Sequence, residues 1–172
     1  MDLFETIQAR QSVRAYQSTQ IEAEKLEAVL AAANQAPSAG NLQGYEIYVT
    51  RDDKIKQALA KAAGNQDFLA QAPVVLIFCT HPARSAARYG ERGKRLYCLQ
   101  DASIAIAYAQ LAATALGLAS CWVGAFDDER VARIIHLPMG QHPVAILPVG
   151  YPGESPLRTP RRSLPDLVHH IP

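Results

Sequence analysis

Along this chain the spacing of apolar positions changes several times, and each spacing predicts an element. Leu3, Phe4 and Ile7 share one face of a short helix that Asp2 can cap. That helix gives way at the stretch RQSVRAY, residues 10–16. Leu26, Val29, Leu30 and Ala33 recur at helical spacing, with acids toward the start, so a second helix stops before Pro37. YEIYVT alternates and is rich in β-formers, whereas VVLIFCT is a continuous apolar run too short for an ordinary helix and bounded by Pro73 and Pro82; both read as strands. Between them RDDKIKQALAKAAG places Ile55, Leu59 and Ala62 on one side of a helix that Gly64 ends.

The longest periodic segment runs from about Arg92 to Leu116 and stops at Gly117, which predicts a central helix. Its many alanines allow close approach, either within the core or against a second copy of the chain. SCWVGAF reads as a buried strand, DDERVARII as a helix capped by Asp127, and VAILPVG as a last strand that Pro148 demotes to an edge or a bulge. After Gly150 the chain has five prolines and little periodicity, so residues 151–172 are expected to lie over another surface. No repeat or linker interrupts residues 1–172, and helices mixed with strands without strict alternation predict one α+β domain with a mixed, largely antiparallel central sheet flanked by helices.

Charge narrows the partners. With 17 basic and 16 acidic side chains the formal net charge is +1, so no global field favours nucleic acid. No apolar run approaches the ~18–20 residues that cross a bilayer, and Asp2 and Glu5 stand where a secretion signal needs cations; a cytoplasmic protein is expected. Cys79, Cys98 and Cys121 are odd in number and lack CxxC spacing, which argues against disulfides and zinc. Each reads first as a small buried hydrophobe, with a reactive thiol at Cys121 as the alternative. The five histidines have no metal-ligand spacing.

Two polar stretches stand out. Arg10, Ser12 and Arg14 occupy alternate positions, which project to one side of an extended segment, and guanidinium forks with a hydroxyl suit phosphate oxygens. By themselves they are more simply a solvated surface. APSAGNLQ offers backbone donors, a hydroxyl and an amide in a few residues, fit for a planar polar ligand or simply for a connection. A third, basic stretch, HPARSAARYGERGKR, sets Arg84, Arg88 and Arg92 on one face if helical, either as solvated cations or as partners of nucleotide phosphates.

Taken in order, RQSVRAY, APSAGNLQ, GNQDFLAQAPVVLIFC, ALGLASCWVGAFDDE and LPVGYPGE resemble the nitroreductase family of FMN-dependent oxidoreductases, from residue 2 to about residue 168. The resemblance implies an intertwined homodimer with FMN tightly bound at the interface and the C-terminal tail wrapping the partner subunit. It implies that Arg10, Gln11 and Ser12 bind FMN around its phosphate, that Arg14 lies near the pyrimidine edge, and that Ser38 and Asn41 are flavin contacts given to the other subunit. Gln66 matches a ring contact, Trp122, Val123, Gly124 and Ala125 match a loop that offers backbone N–H near flavin N5, and Arg161 matches a late phosphate-binding cation, with Arg162 its competitor. No side chain is expected to be catalytic. NAD(P)H would be a transient donor in ping-pong transfer through N5 to nitroaromatics or quinones; the alternatives are dehalogenation or dehydrogenation on the same cofactor, or a non-catalytic FMN sensor or store. Where many relatives read x-Gln-Pro-Trp after Asn41, this chain has Leu42, Gln43, Gly44 and Tyr45, which predicts a looser loop; the 81–95 segment is a short lid.

Overall fold

A computed structural model describes residues 1–171. Asp2 caps α1 (Leu3–Ala9) through a reciprocal pair in which its carboxylate accepts the Glu5 N–H and the Glu5 carboxylate accepts the Asp2 N–H. Then come α2 (Ala23–Asn34), a 3₁₀ turn (Ala39–Asn41), β1 (Tyr45–Thr50), α3 (Asp53–Ala62), the short α4 (Phe68–Gln71) and β2 (Val74–Thr80). The second half carries α5 (Pro82–Arg92), a π-helical segment (Gly93–Tyr97), α6 (Cys98–Ala115), β3 (Ala119–Ser120), α7 (Asp128–Ile134), β4 (His142–Gly150) and α8 (Leu164–Leu167).

The strands form one sheet in the order β1-β2-β4-β3, with every strand pair antiparallel. Its parallel component is a single bridge from Ser12 to Ser120. Both faces are covered. Val74, Leu76, Phe78, Ala145 and Leu147 meet α2 and α6, while Val75, Ile77, Cys79 and Ile146 meet α3, α4 and α7. Double burial is why β2 reads as unbroken apolar sequence although its neighbours are antiparallel. Truncating Phe78, fully enclosed, to alanine would cost about 3–5 kcal/mol.

Pro148 does not put its strand at an edge. Ile146 exchanges both backbone bonds with Val123, at 3.0 and 2.9 Å, so the nitrogen of Pro148, two residues on, faces that same side. There it lies beyond the two residues of β3, where no ladder bond is required; toward β2, Pro148 pairs normally opposite Val75. SCWVGAF is correspondingly not a continuous strand: β3 begins at Ala119, and past Ser120 only Val123 is bridged. The segment from Arg92 is also not one helix. Gly90 (φ +54) kinks α5, and five π-helical residues precede α6, which ends where expected, before Gly117 at φ +75. Ala102, Ala105, Ala109 and Ala113 of α6 are enclosed within the core.

Candidate functional site

The end of α1 turns the chain into an extended run. Val13 is buried and its N–H donates to the Ser120 carbonyl at 3.2 Å, so Ser12 and Arg14 point the other way. Tyr16 fixes the next corner: its hydroxyl donates to the carbonyl of Val13 at 2.8 Å, and burial pushes its phenol far above the ordinary value, keeping it a neutral donor. On the opposite edge the run pairs with the start of the tail, where Gly153 N–H donates to Ala15 carbonyl and Gln17 N–H to Tyr151 carbonyl. Glu154 reaches back to accept the Arg14 backbone N–H at 2.5 Å.

Between residues 7–14 and 156–161 lies a cleft of about 510 Å³, within the ~300–1,000 Å³ range of small-molecule sites. Arg10, Arg14, Arg158 and Arg161 line it and no acid does; none of the four forms an ion pair among the described residues. Gln11 adds a buried amide oxygen without a hydrogen-bond partner. Four guanidinium groups, with Glu154 on the Arg14 backbone as the nearby acid and an orphaned acceptor beside them, fit a ligand with a dianionic end and hydroxyl or N–H donors. Beneath the cleft the Cys121 thiol is raised by burial, with Arg14, Ser12 and Arg10 drawing it partly back; it is enclosed and neutral rather than a reactive thiol.

The cleft gathers Arg10, Gln11, Ser12, Arg14 and Arg161. Arg162 instead donates to the Asp166 backbone carbonyl. Arg158 was not singled out from the sequence; its only signal there was the basic composition of LRTPRR. Beyond Cys121, Trp122, Gly124 and Ala125 face outward while Val123 is buried. Val123 cannot offer its N–H to a ligand because that group donates to Ile146, which leaves Trp122, Gly124 and Ala125 as the loop amides without a partner among the described residues. Gln66 braces this loop, its amide donating to the carbonyls of Ala63 at 2.8 Å and Ala125 at 3.3 Å.

Ser38 and Asn41 are not part of this cleft. The Ser38 hydroxyl accepts from the Gln43 backbone N–H (3.0 Å) and side-chain amide (3.2 Å), and the same amide donates to Asn41 Oδ1 at 2.7 Å. Nor is the loop loosened by Gly44: a Cβ there would lie 2.1 Å from Ser85 Oγ, so glycine permits a close approach. The basic face of α5 stays exposed, but its cations have partners at the surface: Arg84 donates to the Leu42 carbonyl, Arg88 lies over the Tyr89 ring and Arg92 is bonded to the Tyr97 hydroxyl.

Among the described residues no cluster of three or more His, Cys, Asp or Glu could hold a metal ion, and no helix is long and apolar enough to cross a membrane. The sequence model of the nitroreductase family matches residues 7–66 and 60–151. A protein named NADH dehydrogenase from Thermus thermophilus is 32% identical over 172 aligned positions, covering 84% of each chain. The solved structure of NfrA2 from Bacillus megaterium superposes with a TM-score of 0.90 at 30% identity, over 98% of this chain and 74% of that one. An NADPH:FMN oxidoreductase from Vibrio harveyi, solved with NAD⁺, gives 0.90 at 26% identity over 98% and 76%.

Proposed function

This chain belongs to the nitroreductase family, and on that premise we propose how its residues serve the reaction. It is an FMN-dependent NAD(P)H oxidoreductase. The observation that carries the assignment to this cleft is the set of four arginines with no acid among them, beside the orphaned Gln11 oxygen. A phosphate near −2 charge requires more than one cation, and each charge-assisted bond contributes about 1.5–3 kcal/mol net. Arg10 and Arg161 hold the phosphate, Ser12 adds a hydroxyl donor, and Gln11 accepts from the ribityl chain. Arg14, its backbone fixed by Glu154, supplies a cation for the edge of the ring where negative charge develops.

The chemistry FMN supplies when bound is hydride uptake from NAD(P)H at N5, followed by transfer to an acceptor. Nitroaromatics and quinones are the acceptors we propose. The Gly124 and Ala125 amides lie at the end of the loop braced by Gln66 and are available to the ring. We place the working enzyme as a homodimer. Leu3, Phe4 and Ile7 of α1, Leu99 and Tyr108 of α6, and Leu157, Leu164 and Ile171 of the tail are all exposed, more apolar surface than a solitary chain favours. In such a pair Ser38 and Asn41 serve the other copy's flavin and the tail lies over its neighbour. Three free, buried thiols suit a reducing cytoplasm.

Anaerobic titration of the FMN-loaded protein with NADH and with NADPH tests the assignment. Bleaching of the flavin by either nucleotide, reversed by a quinone or nitroaromatic, is expected. Failure of both to bleach it would leave only a binding or storage role, and failure to bind FMN would remove the cleft's assignment altogether.

A further inference from the structure

We propose that Asp101 is a positioning residue: from α6 it clamps both ends of loop 38–44 into the form in which Ser38 and Asn41 meet the flavin of a second copy of the chain. The inference rests on the function proposed above. Asp101 is only 2% exposed. One of its oxygens accepts the Ala39 N–H at 2.9 Å and the other accepts the Gly44 N–H at 3.1 Å. A single carboxylate thus receives donors from the beginning and the end of one loop.

The residues between those ends need such a clamp. Gly40, Asn41 and Gln43 have φ of +57°, +56° and +45°. Two of them carry side chains in the left-handed region, a conformation that persists where surroundings over-determine it and that clusters at ligand-contacting sites. Gln43 cross-links Ser38 to Asn41 from within the loop. From outside, Arg84 holds the Leu42 carbonyl, and the His81 N–H donates to the Gly44 carbonyl at 2.8 Å. Tyr89 closes over Gly40, where a Cβ would come within 2.5 Å of its hydroxyl. Among the described residues only Asp101 binds both ends. An asparagine there has one acceptor oxygen and would turn an amide N–H toward the second donor, so a carboxylate is the group this geometry requires.

Asp101→Asn and Ala39→Pro separate this role from general support of the fold. Ala39→Pro deletes one donor and leaves Asp101 intact; Ser38 at φ −138°, ψ 156° already has the backbone that precedes proline, and Ala39 is the first residue of its helical turn. In protein shown by circular dichroism to be folded at the assay temperature, Asp101→Asn should raise the FMN dissociation constant roughly tenfold or more and shift the visible absorption band and midpoint potential of the bound flavin. Ala39→Pro should move the same readouts in the same direction by less. A lowered melting temperature with unchanged FMN affinity, spectrum and potential in both would reduce Asp101 to a structural residue and overturn the inference. Should Asp101→Asn fail to fold, Ala39→Pro decides alone. Arg10→Ala is the control: its loss of FMN with both loop variants normal refutes only the clamp, whereas unaltered binding in Arg10→Ala refutes the cleft assignment itself.

Discussion

The arginine cleft and loop 38–44 are both polar, and they are chemically opposite in structure. In the cleft, among the described residues, four guanidinium groups form no ion pair and a buried amide oxygen has no hydrogen-bond partner. In the loop nearly every polar group is already partnered: Ser38 and Asn41 by Gln43, Ala39 and Gly44 by Asp101, Leu42 by Arg84. An unpaired charged site draws its stability from a ligand, while a fully paired loop is preorganised before any ligand arrives. On the function proposed, one copy of the chain would supply most of the binding energy for FMN and present a finished surface to its neighbour.

The largest effect that separates the two regions is on FMN affinity. Arg10→Ala and Arg161→Ala should each weaken binding tenfold to a hundredfold, from about 1.5–3 kcal/mol per charge-assisted bond. Ser38→Ala should weaken it less and instead lower stability by about 1 kcal/mol, because it deletes the acceptor of two internal bonds. Fluorescence titration of FMN alongside urea denaturation reads both; equal losses of affinity at Arg10 and Ser38 would erase the distinction.

Next in size is the steric limit at the loop. Gly44→Ala forces a Cβ to 2.1 Å from Ser85 Oγ and 3.1 Å from Asp101 Oδ2, which should destabilise the fold by about 1–3 kcal/mol in a urea titration. The same substitution at Gly124, whose nearest neighbour is the Trp122 ring nitrogen at 3.2 Å, should be milder.

The smallest effects come from the thiols. Burial raises Cys121 beneath the cleft, Cys98 beneath the loop and Cys79 within the sheet, the last pushed up to about 12. An unfolded cysteine releases its proton near ~8.5, so between there and about 12 the unfolded state binds fewer protons and stability falls as pH rises. Urea midpoints measured from pH 7 to 10 should decline, with Cys79→Ala showing the shallowest slope. At Cys121 the pull of Arg14 and Arg10 opposes burial, so Cys121→Ala should change the slope less.

The sequence revealed elements whose signals are local. Asp2 and Asp127 announce their helices because a cap acts within three residues, and β2 announces itself because both of its faces are covered. Pro148 misled because its cost depends on which side its nitrogen faces, and that is set by Val123 and Ile146 across the sheet. The RQSVRAY segment points to a phosphate only through its resemblance to a family; its spacing alone is shared with ordinary surfaces. Arg158 and Asp101 were missed for one reason. Arg158 acts beside residues some 150 positions away and Asp101 beside residues about 60 away, so neither carries a local pattern.

The central claim, that the cleft holds FMN by its phosphate, is tested most directly by isothermal titration of the flavin-free protein with FMN and with riboflavin, which lacks the phosphate. The account predicts that FMN binds at least a hundredfold more tightly, from two or more charge-assisted contacts at about 1.5–3 kcal/mol each. It also predicts that the preference collapses when Arg10 and Arg161 are both replaced by alanine. Equal affinity for the two flavins, or a preference for FMN that survives the double replacement, would contradict it.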